Sequence, residues 1–567
     1  LDTAVKVMLE TPARQPPTRD SFNWRPRPLE DWLQNLPVAN LGETSRQVYE
    51  ALRSVNRMEI PPAERLTFML QLRDIVAYVS EGLRKHYLGR ELPLRNKPRT
   101  VATLAILLLQ EMALGFEIAA QDLNGRRRLA TALHQALLFR GRVLLEHWIV
   151  YLSPPQGSWR RLHELYRLAE QQGIADERAR FAGAGRHESP AAAYKLAILV
   201  AAAGPSRMPP GDILDSWRLL RHWAHSARLG EASAGDDDIA AFRIPRSADA
   251  PPHATVTDLN RDDDRLLDTS ELLRLIEREF ATTVRPRAFW RRQPLADVSP
   301  ELVNRVLLAL GAVPSRQHPR MRARARVQVA VGLTRLHRIL NRELGRDERE
   351  LDDAGRHFQA REPSRPGVGD TDVWDLVYPA ELLRTLARDS AASRLPEPPR
   401  HEELQDWNLV NISRGGYCLL SGSPEVSRVQ VGELILLREV AGRDLPWQLG
   451  AIRWLRAIRD QGLQLGVEIL APSPIPVHMR AQHDDGHFGP AERGLMLPAV
   501  DATEQPPSLI APGPHYASDR RVQVRHGNKN IDLTLGRVFD NTTHYLQFEF
   551  RQSGPPETGV PWPDSDD

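Results

Sequence analysis

Three textures of apolar and polar positions follow one another along the chain. From about residue 31 to 240 the apolar positions recur at helical spacing. Leu41-Gly42-Glu43-Thr44-Ser45 leads into a helix bearing Val48, Leu52 and Val55, and Pro61-Pro62-Ala63-Glu64 opens a longer one. Prolines suit the first turn of a helix, where amides have no intrahelical partner. The same period predicts helices over 98–123, 126–152, 158–172, 188–203 and 210–229. After a loop-like stretch over 231–265, with a short strand at Ala254–Thr257, it returns over 269–282 and 299–311.

The second texture has period two. Val327-Gln328-Val329-Ala330-Val331 alternates, and Leu463, Leu465, Val467 and Ile469 alternate with Gln464, Gly466 and Glu468, the pattern of half-buried strands. Further strands are predicted near 433–439 and 446–456. A last group, near 508–511, 520–526, 531–539 and 543–550, forms a small β unit with a turn at Gly527-Asn528. The third texture is polar and Pro-rich. It covers residues 1–30, expected to be poorly ordered, and 553–567, a disordered tail.

These textures give an α+β multidomain chain. An α-solenoid-like helical domain (31–240) has helix pairs of tetratricopeptide-like texture, as in Trp159–Ala169, without a strict repeat consensus. A connector (241–311) leads to an antiparallel β-barrel (312–475) that carries a helical insertion (340–405), with a charged helix at Asn341–Ala360. The small β domain occupies 490–552. A length of 567 residues agrees with several domains.

Composition narrows the function. With 41% hydrophobic and 26% charged residues the chain is globular, and a net charge of +2 gives no global pull toward nucleic acid or a membrane surface. The most apolar window, Val101–Leu109, falls well short of the ~20 residues that cross a bilayer and reads as a buried helix. The chain does not open on a basic stretch followed by an apolar run, so a cytoplasmic protein is expected. The single cysteine, Cys418, rules out an internal disulfide and reads as a small buried hydrophobe.

Chemistry concentrates in two places. Trp407-Asn408-Leu409-Val410-Asn411-Ile412-Ser413-Arg414-Gly415-Gly416-Tyr417-Cys418 is a strand, a polar corner and a second strand. The corner offers an amide, a hydroxyl and paired glycines. Upstream, Arg316-Gln317-His318-Pro319-Arg320 feeds Arg322, Arg324 and Arg326 ahead of an alternating strand. Taken alone, the corner can be a hairpin satisfying its own backbone, and the arginines a solvated face. Asp258–Asp264 begins like a calcium loop but has Asp263 where glycine belongs and Thr269 where glutamate belongs. His222 and His225 lie one helical turn apart with no third ligand implied. No metal, cofactor or catalytic site is expected.

Together the corner, [Asp/Asn]-x-Ser-x-x-Gly, and the Arg-x-x-x-Arg run resemble the signature of the PilZ family, β-barrels that bind cyclic di-GMP. Val431–Ile435, Trp447–Arg456 and Leu465–Leu470 resemble that family's closing strands. The likeness covers about 312–335 and 403–472, and the whole layout is similar to long proteobacterial PilZ proteins with a helical N-terminal half. It implies a cyclic di-GMP site made of Arg316, Arg320, Arg322, Arg324, Asn411, Ser413, Gly415 and Gly416. Three register choices, Arg316/Arg320, Arg320/Arg324 and Arg322/Arg326, share the spacing, and the family pattern favours the first. Asn411 stands where many members carry Asp, which implies weaker affinity. The expected function is a non-enzymatic effector that passes nucleotide binding to a protein partner of the helical domain, such as a motility or surface-appendage component. The alternative is an adaptor scaffold with a degenerate barrel.

Overall fold

The computed structural model describes residues 10–90, 92–183, 185, 187–231, 241–254, 263–282, 298–311, 321–345, 404–413, 415–421, 429–440, 445–458, 462–483, 486–499, 506–513, 515–526 and 529–552. It forms two compact units that divide near residue 315.

The first unit is helical: α1 (Pro26–Gln34), α2 (Leu41–Asn56), α3 (Pro62–Arg84), α4 (Asn96–Asp122), α5 (Arg126–Ile149), α6 (Ser158–Gln171), α7 (Pro190–Ala202) and α8 (Pro210–Trp223). Caps explain several boundaries. Asn40 Oδ1 accepts from the Glu43 amide at 3.1 Å to start α2, and Ser189 Oγ accepts from Ala192 at 3.2 Å to start α7, with Pro190 at its first position. Helices pack in chain order from α2 to α8, and α5 also meets α7 and α8. By length and composition α4 is apolar enough to cross a membrane, longer than the window predicted, yet 78% of its most apolar stretch is buried inside this fold.

Three expectations are corrected in this unit. The described part of the N-terminal segment, residues 10–30, is not poorly ordered. Phe22 packs edge-on against Trp32 and Phe68, Trp24 Nε1 donates to Glu64 at 2.8 Å, and Gln15 pairs with Met58 as an isolated bridge. Aromatic anchors outweigh the Pro- and Arg-rich composition. The helix predicted to 229 stops at Trp223, and β1 (Arg228–Glu231) follows. Its partners β2 (Ala241–Ile244) and β3 (Arg265–Asp268) complete an antiparallel sheet in the order β1-β3-β2. A strand whose partner arrives 40 residues later leaves no local period to read. Ala254 is not in a strand, and 255–257 lie outside the described residues. Next come α9 (Ser270–Thr282) and α10 (Pro300–Gly311).

The stretch read as a connector is joined to the helices by charge. Asp249 accepts from the amides of Trp159 and Arg160, both at 3.0 Å, so a carboxylate sits on the positive end of α6. Burial opposes its charge, but these amides hold its pKa below the usual carboxylate range. Asp263, from the calcium-like run, pairs with Arg167 and Arg246, and Asp264 pairs with Arg243.

The second unit holds two closed antiparallel barrels. The first contains β4 (Met321–Val331), α11 (Leu333–Glu343), β5 (Gln405–Ser413), β6 (Gly416–Ser421), β7 (Leu434–Glu439), β8 (Gln448–Ile458) and β9 (Gly462–Pro472). Its strand order is β4-β5-β6-β9-β8-β7, and β7 closes on β4. Helix α11, at Leu333–Glu343, was not expected; the charged helix expected over Asn341–Ala360 lies, beyond Gly345, outside the described residues. Leu336, Ile339 and Leu340 of α11 are buried, which sets its position by packing rather than by charge. The rest of the insertion, residues 346–403, lies outside the described residues.

The small β unit is a second complete barrel and starts earlier than expected. It is built from β10 (Ile475–Ala481), β11 (Glu492–Leu497), β12 (Ser508–Ala511), β13 (Arg521–His526), β14 (Lys529–Asn541) and β15 (Leu546–Gln552), in the order β10-β11-β12-β15-β14-β13, with β13 closing on β10. The sequence reading missed β10 although Ile475, Val477, Met479 and Ala481 alternate with polar residues. Pro476 interrupts the run, and proline argues against a strand interior. The barrels share one apolar cluster, in which Leu336, Leu436, Trp447 and Leu449 of the first meet Leu495, Leu497, Ile510 and Tyr545 of the second. Arg453 crosses the same boundary, bonding Glu468 at 2.5 Å and Asp540 at 2.7 Å.

Candidate functional site

The polar corner is a tight hairpin. Ser413 pairs with Gly416, with Gly415 between them in the turn; Arg414 lies outside the described residues. Ser413 Oγ donates to the Gly416 carbonyl at 3.2 Å, so the hydroxyl already serves the turn.

Across the sheet, five residues fall in one register row. Arg322 is opposite Asn411, Asn411 opposite Cys418, Cys418 opposite Gly466, and Gly466 opposite Trp454. Directly paired residues face the same side of a sheet. That side is the barrel's exterior. Leu419, Leu465 and Val467, adjacent along the strands to Cys418 and Gly466, are buried in the interior. Irregular register between Leu409 and Asn411 shifts Asn411 from the inward to the outward side.

On β4 the arginines alternate with alanines. Arg322, Arg324 and Arg326 are exposed, whereas Ala323 and Ala325 are half-buried. Two-residue steps along a strand set neighbouring guanidinium stems ~6.8 Å apart on one face. Among the described residues none of these three arginines has an ion-pair or hydrogen-bond partner, and neither has the half-buried Asn411 side chain. An unpaired amide beside a row of unpaired guanidiniums can accept from, and grip, a flat anionic ligand with paired donors.

The glycines have separate explanations. At Gly416 a Cβ would stand 2.1 Å from the Val467 carbonyl oxygen, so the close approach of β6 to β9 alone requires glycine. At Gly415 a Cβ would meet nothing within 4 Å. Neither residue has a left-handed backbone. Met321–Val331 is a paired strand, so the part of the arginine run beyond residue 320 is held by β5. Arg316 and Arg320, the register favoured from sequence, lie outside the described residues. The described residues therefore bring together Arg322, Arg324, Asn411, Ser413 and both glycines.

Three family models match in succession. "Cyclic-di-GMP receptor FimW, N-terminal domain" covers residues 27–234, "Cyclic-di-GMP receptor FimW, middle PilZ domain" covers 241–476, and "FimW C-terminal beta-barrel domain" covers 477–553. The chain belongs to the PilZ-domain family. A curated relative, the cyclic-di-GMP receptor FimW of Pseudomonas aeruginosa, is 26% identical over 576 positions, spanning 96% of this chain and 93% of that protein. No solved structure matches. In PilZ terms, arginines of the first strand and the corner between the second and third meet on the outer wall of one barrel.

Proposed function

We propose that this chain is a non-enzymatic receptor for cyclic di-GMP and that its site is the outer face of the first barrel. The single observation that carries the proposal is the pairing of Arg322 with Asn411, whose side chains have no partner among the described residues. Cyclic di-GMP has two guanines and two phosphates that stay ionised near neutrality. Guanidinium forks match guanine O6 and N7 as well as phosphate oxygens. In this reading Arg316, Arg320, Arg322 and Arg324 grip the dinucleotide, Asn411 accepts from a guanine edge, and Ser413 adds a small polar contact. Gly415 leaves room for the ligand, while Gly416 fixes the hairpin against β9. A neutral amide acceptor contributes roughly 1 kcal/mol per hydrogen bond, against ~1.5–3 for a carboxylate, so affinity is lower than for an Asp-bearing site. The receptor is cytoplasmic and passes binding to a protein partner through its tetratricopeptide-like helical half.

Isothermal titration of the full chain tests this. Cyclic di-GMP should release heat at tens of micromolar ligand, Arg320→Ala should abolish it, and Ser413→Ala should weaken it. No heat with the wild-type chain would leave the second reading, an adaptor with a degenerate barrel. The hydrogen bond that already engages Ser413 Oγ within the hairpin favours that alternative.

A further inference from the structure

One arginine of the helical unit stands outside its ion pairs. Arg142 of α5 is half-buried, and among the described residues it has no hydrogen-bond or ion-pair partner. Its guanidinium carbon lies 5.1 Å from the centre of the Phe139 ring on the same helix. Burial, then the repulsion of Arg221, Arg84 and Arg73, outweighs the attraction of Glu146 and lowers its pKa to about 10. A sheltered guanidinium among like charges is costly unless an anion joins it. Two helices supply these neighbours. Arg73 and Arg84 lie on one stripe of α3, ~16 Å apart along its axis, with the small Ala77 and Ser80 between them. Arg221 comes from α8, which approaches α5 so closely that a Cβ on Gly141 would lie 2.8 Å from the Trp217 ring. Protein carboxylates do not neutralise the cluster. Arg84 shares Glu146 with Tyr87, and Arg221 shares Glu188 with His134. Arg73 binds the Ala182 carbonyl and Asp74, whose side chain is 88% exposed. Apart from the exposed Asp74 and Glu81, four guanidiniums face two sheltered carboxylates, which leaves two positive charges over.

We propose that the cleft around Arg142, between α3 and α8, docks an acidic segment of a protein partner; this deepens, and rests on, the partner reading of the helical half above. Charge complementarity names the occupant. Guanidinium forks hold carboxylates with paired hydrogen bonds. The Phe139 ring beside the Arg142 guanidinium, like the Phe181 ring 4.4 Å from that of Arg73, engages the flat face of the cation and leaves the donors of its edge to an incoming acid. Spacing favours an extended peptide over a single small anion. The ~16 Å from Arg73 to Arg84 matches about five residues of extended chain at ~3.3 Å each, so carboxylates two residues apart meet successive guanidiniums. The occupant also explains why Arg142 is retained without a carboxylate of its own: the partner brings it.

The test uses the full chain and hexaglutamate carrying an uncharged dye, followed by fluorescence anisotropy. The wild-type chain should bind it, and Arg142→Gln should weaken binding roughly 10- to 150-fold, the worth of a charged hydrogen bond. Because no ion pair is lost, Arg142→Gln should melt within ~2 °C of wild type. Arg493→Gln, on the exposed surface of the second barrel, should bind as the wild type does. A wild-type chain that ignores hexaglutamate overturns the proposal, as does unchanged binding in Arg142→Gln. An equal loss in Arg493→Gln overturns it too, since the attraction is then diffuse. Inorganic phosphate that displaces the peptide charge for charge makes this a small-anion site and overturns the peptide. If Arg142→Gln does not fold, Arg73→Gln decides by the same criterion. Heat from cyclic di-GMP is measured separately. A chain that binds the nucleotide but not hexaglutamate loses the cleft and keeps the receptor reading, so the two failures are distinguishable.

Discussion

The core of the helical unit and strand β4 of the barrel unit use arginine in opposite ways. In the helical core it is drawn inward and paired. Glu117 is fully buried and receives Arg140 Nε at 2.6 Å and Arg161 Nη2 at 2.8 Å. Burial works against its charge, but the two guanidiniums prevail and hold its pKa below the usual carboxylate range. Glu146, buried beside Arg84 and Tyr87, is a second such centre. On β4 of the barrel unit the arginines are exposed, evenly spaced and unpaired among the described residues. Composition cannot distinguish these arginines; the fold does. Buried, paired charges fix helix register, and exposed, unpaired ones remain available to a ligand.

The largest effect should come from breaking the buried centre. Glu117→Ala removes the carboxylate that Arg140 and Arg161 share, leaving Arg161 only the more distant Glu164 at 3.8 Å, and removing one partner of a buried ion pair costs roughly 3–5 kcal/mol. Arg322→Ala removes an exposed side chain that has no partner among the described residues, and should change stability by less than ~0.5 kcal/mol. Urea unfolding followed by residue-resolved hydrogen exchange separates the two units. A neutral Glu117→Ala, or an Arg322→Ala as damaging as Glu117→Ala, would dissolve the contrast.

The same contrast decides what could be read in advance. Helices were legible because α2 to α7 bury one stripe or a whole surface at a period of 3.6, and the corner was legible because Asn411, Ser413 and Gly416 sit at fixed spacing in one hairpin. Non-local pairings left no such trace. Arg228–Glu231 is a strand only because Arg265–Asp268 lies beside it. Nothing in Ile452-Arg453-Trp454-Leu455 announces that pairing with β9 slips there, so Trp454 was read as a closing-strand residue and not as part of a face. The meeting of Arg322 with Asn411 required a closed barrel, since 88 residues of chain separate them.

Smaller effects separate fold from ligand within the corner itself. Gly416→Ala forces a methyl against the Val467 carbonyl, where backbone must shift, and should destabilise the first barrel by ~1–3 kcal/mol, the usual range for overpacking. Gly415→Ala meets open space and should leave stability within ~0.5 kcal/mol of wild type. Its effect should appear only in the nucleotide titration, as weaker binding. Thermal melts without ligand and calorimetry with it give the two readings. Equal melting losses at both glycines would mean that the corner is purely structural.

The two units should also respond to pH with opposite sign. In the first barrel, burial pushes the Glu433 carboxyl up to about 7 against the opposing pull of the Gln430 amide and Arg335. Between its ordinary value of 4.5 and about 7, the folded barrel holds a proton that the unfolded chain has released. This contribution is complete below 4.5 and is lost as pH rises through 7. In the helical unit, burial lowers His163 to about 4 although the Ala250 carbonyl favours its proton, so the folded ring stays neutral while the unfolded ring is charged below 6.5. Its contribution is complete above 6.5 and is lost as pH falls toward 4. Glu188, held at about 2 because His134 and Arg221 overcome burial, acts in the same direction at lower pH. Moving from pH 8 to pH 5.5 should therefore stabilise the barrel unit and weaken the helical unit, each by on the order of 1 kcal/mol. Hydrogen exchange at the two pH values, corrected for intrinsic rates, measures both in one sample. Glu433→Gln should flatten the barrel's slope and leave the helical slope intact. Slopes of the same sign, or a barrel slope that survives Glu433→Gln, would show that buried titrating groups do not set the difference between the units.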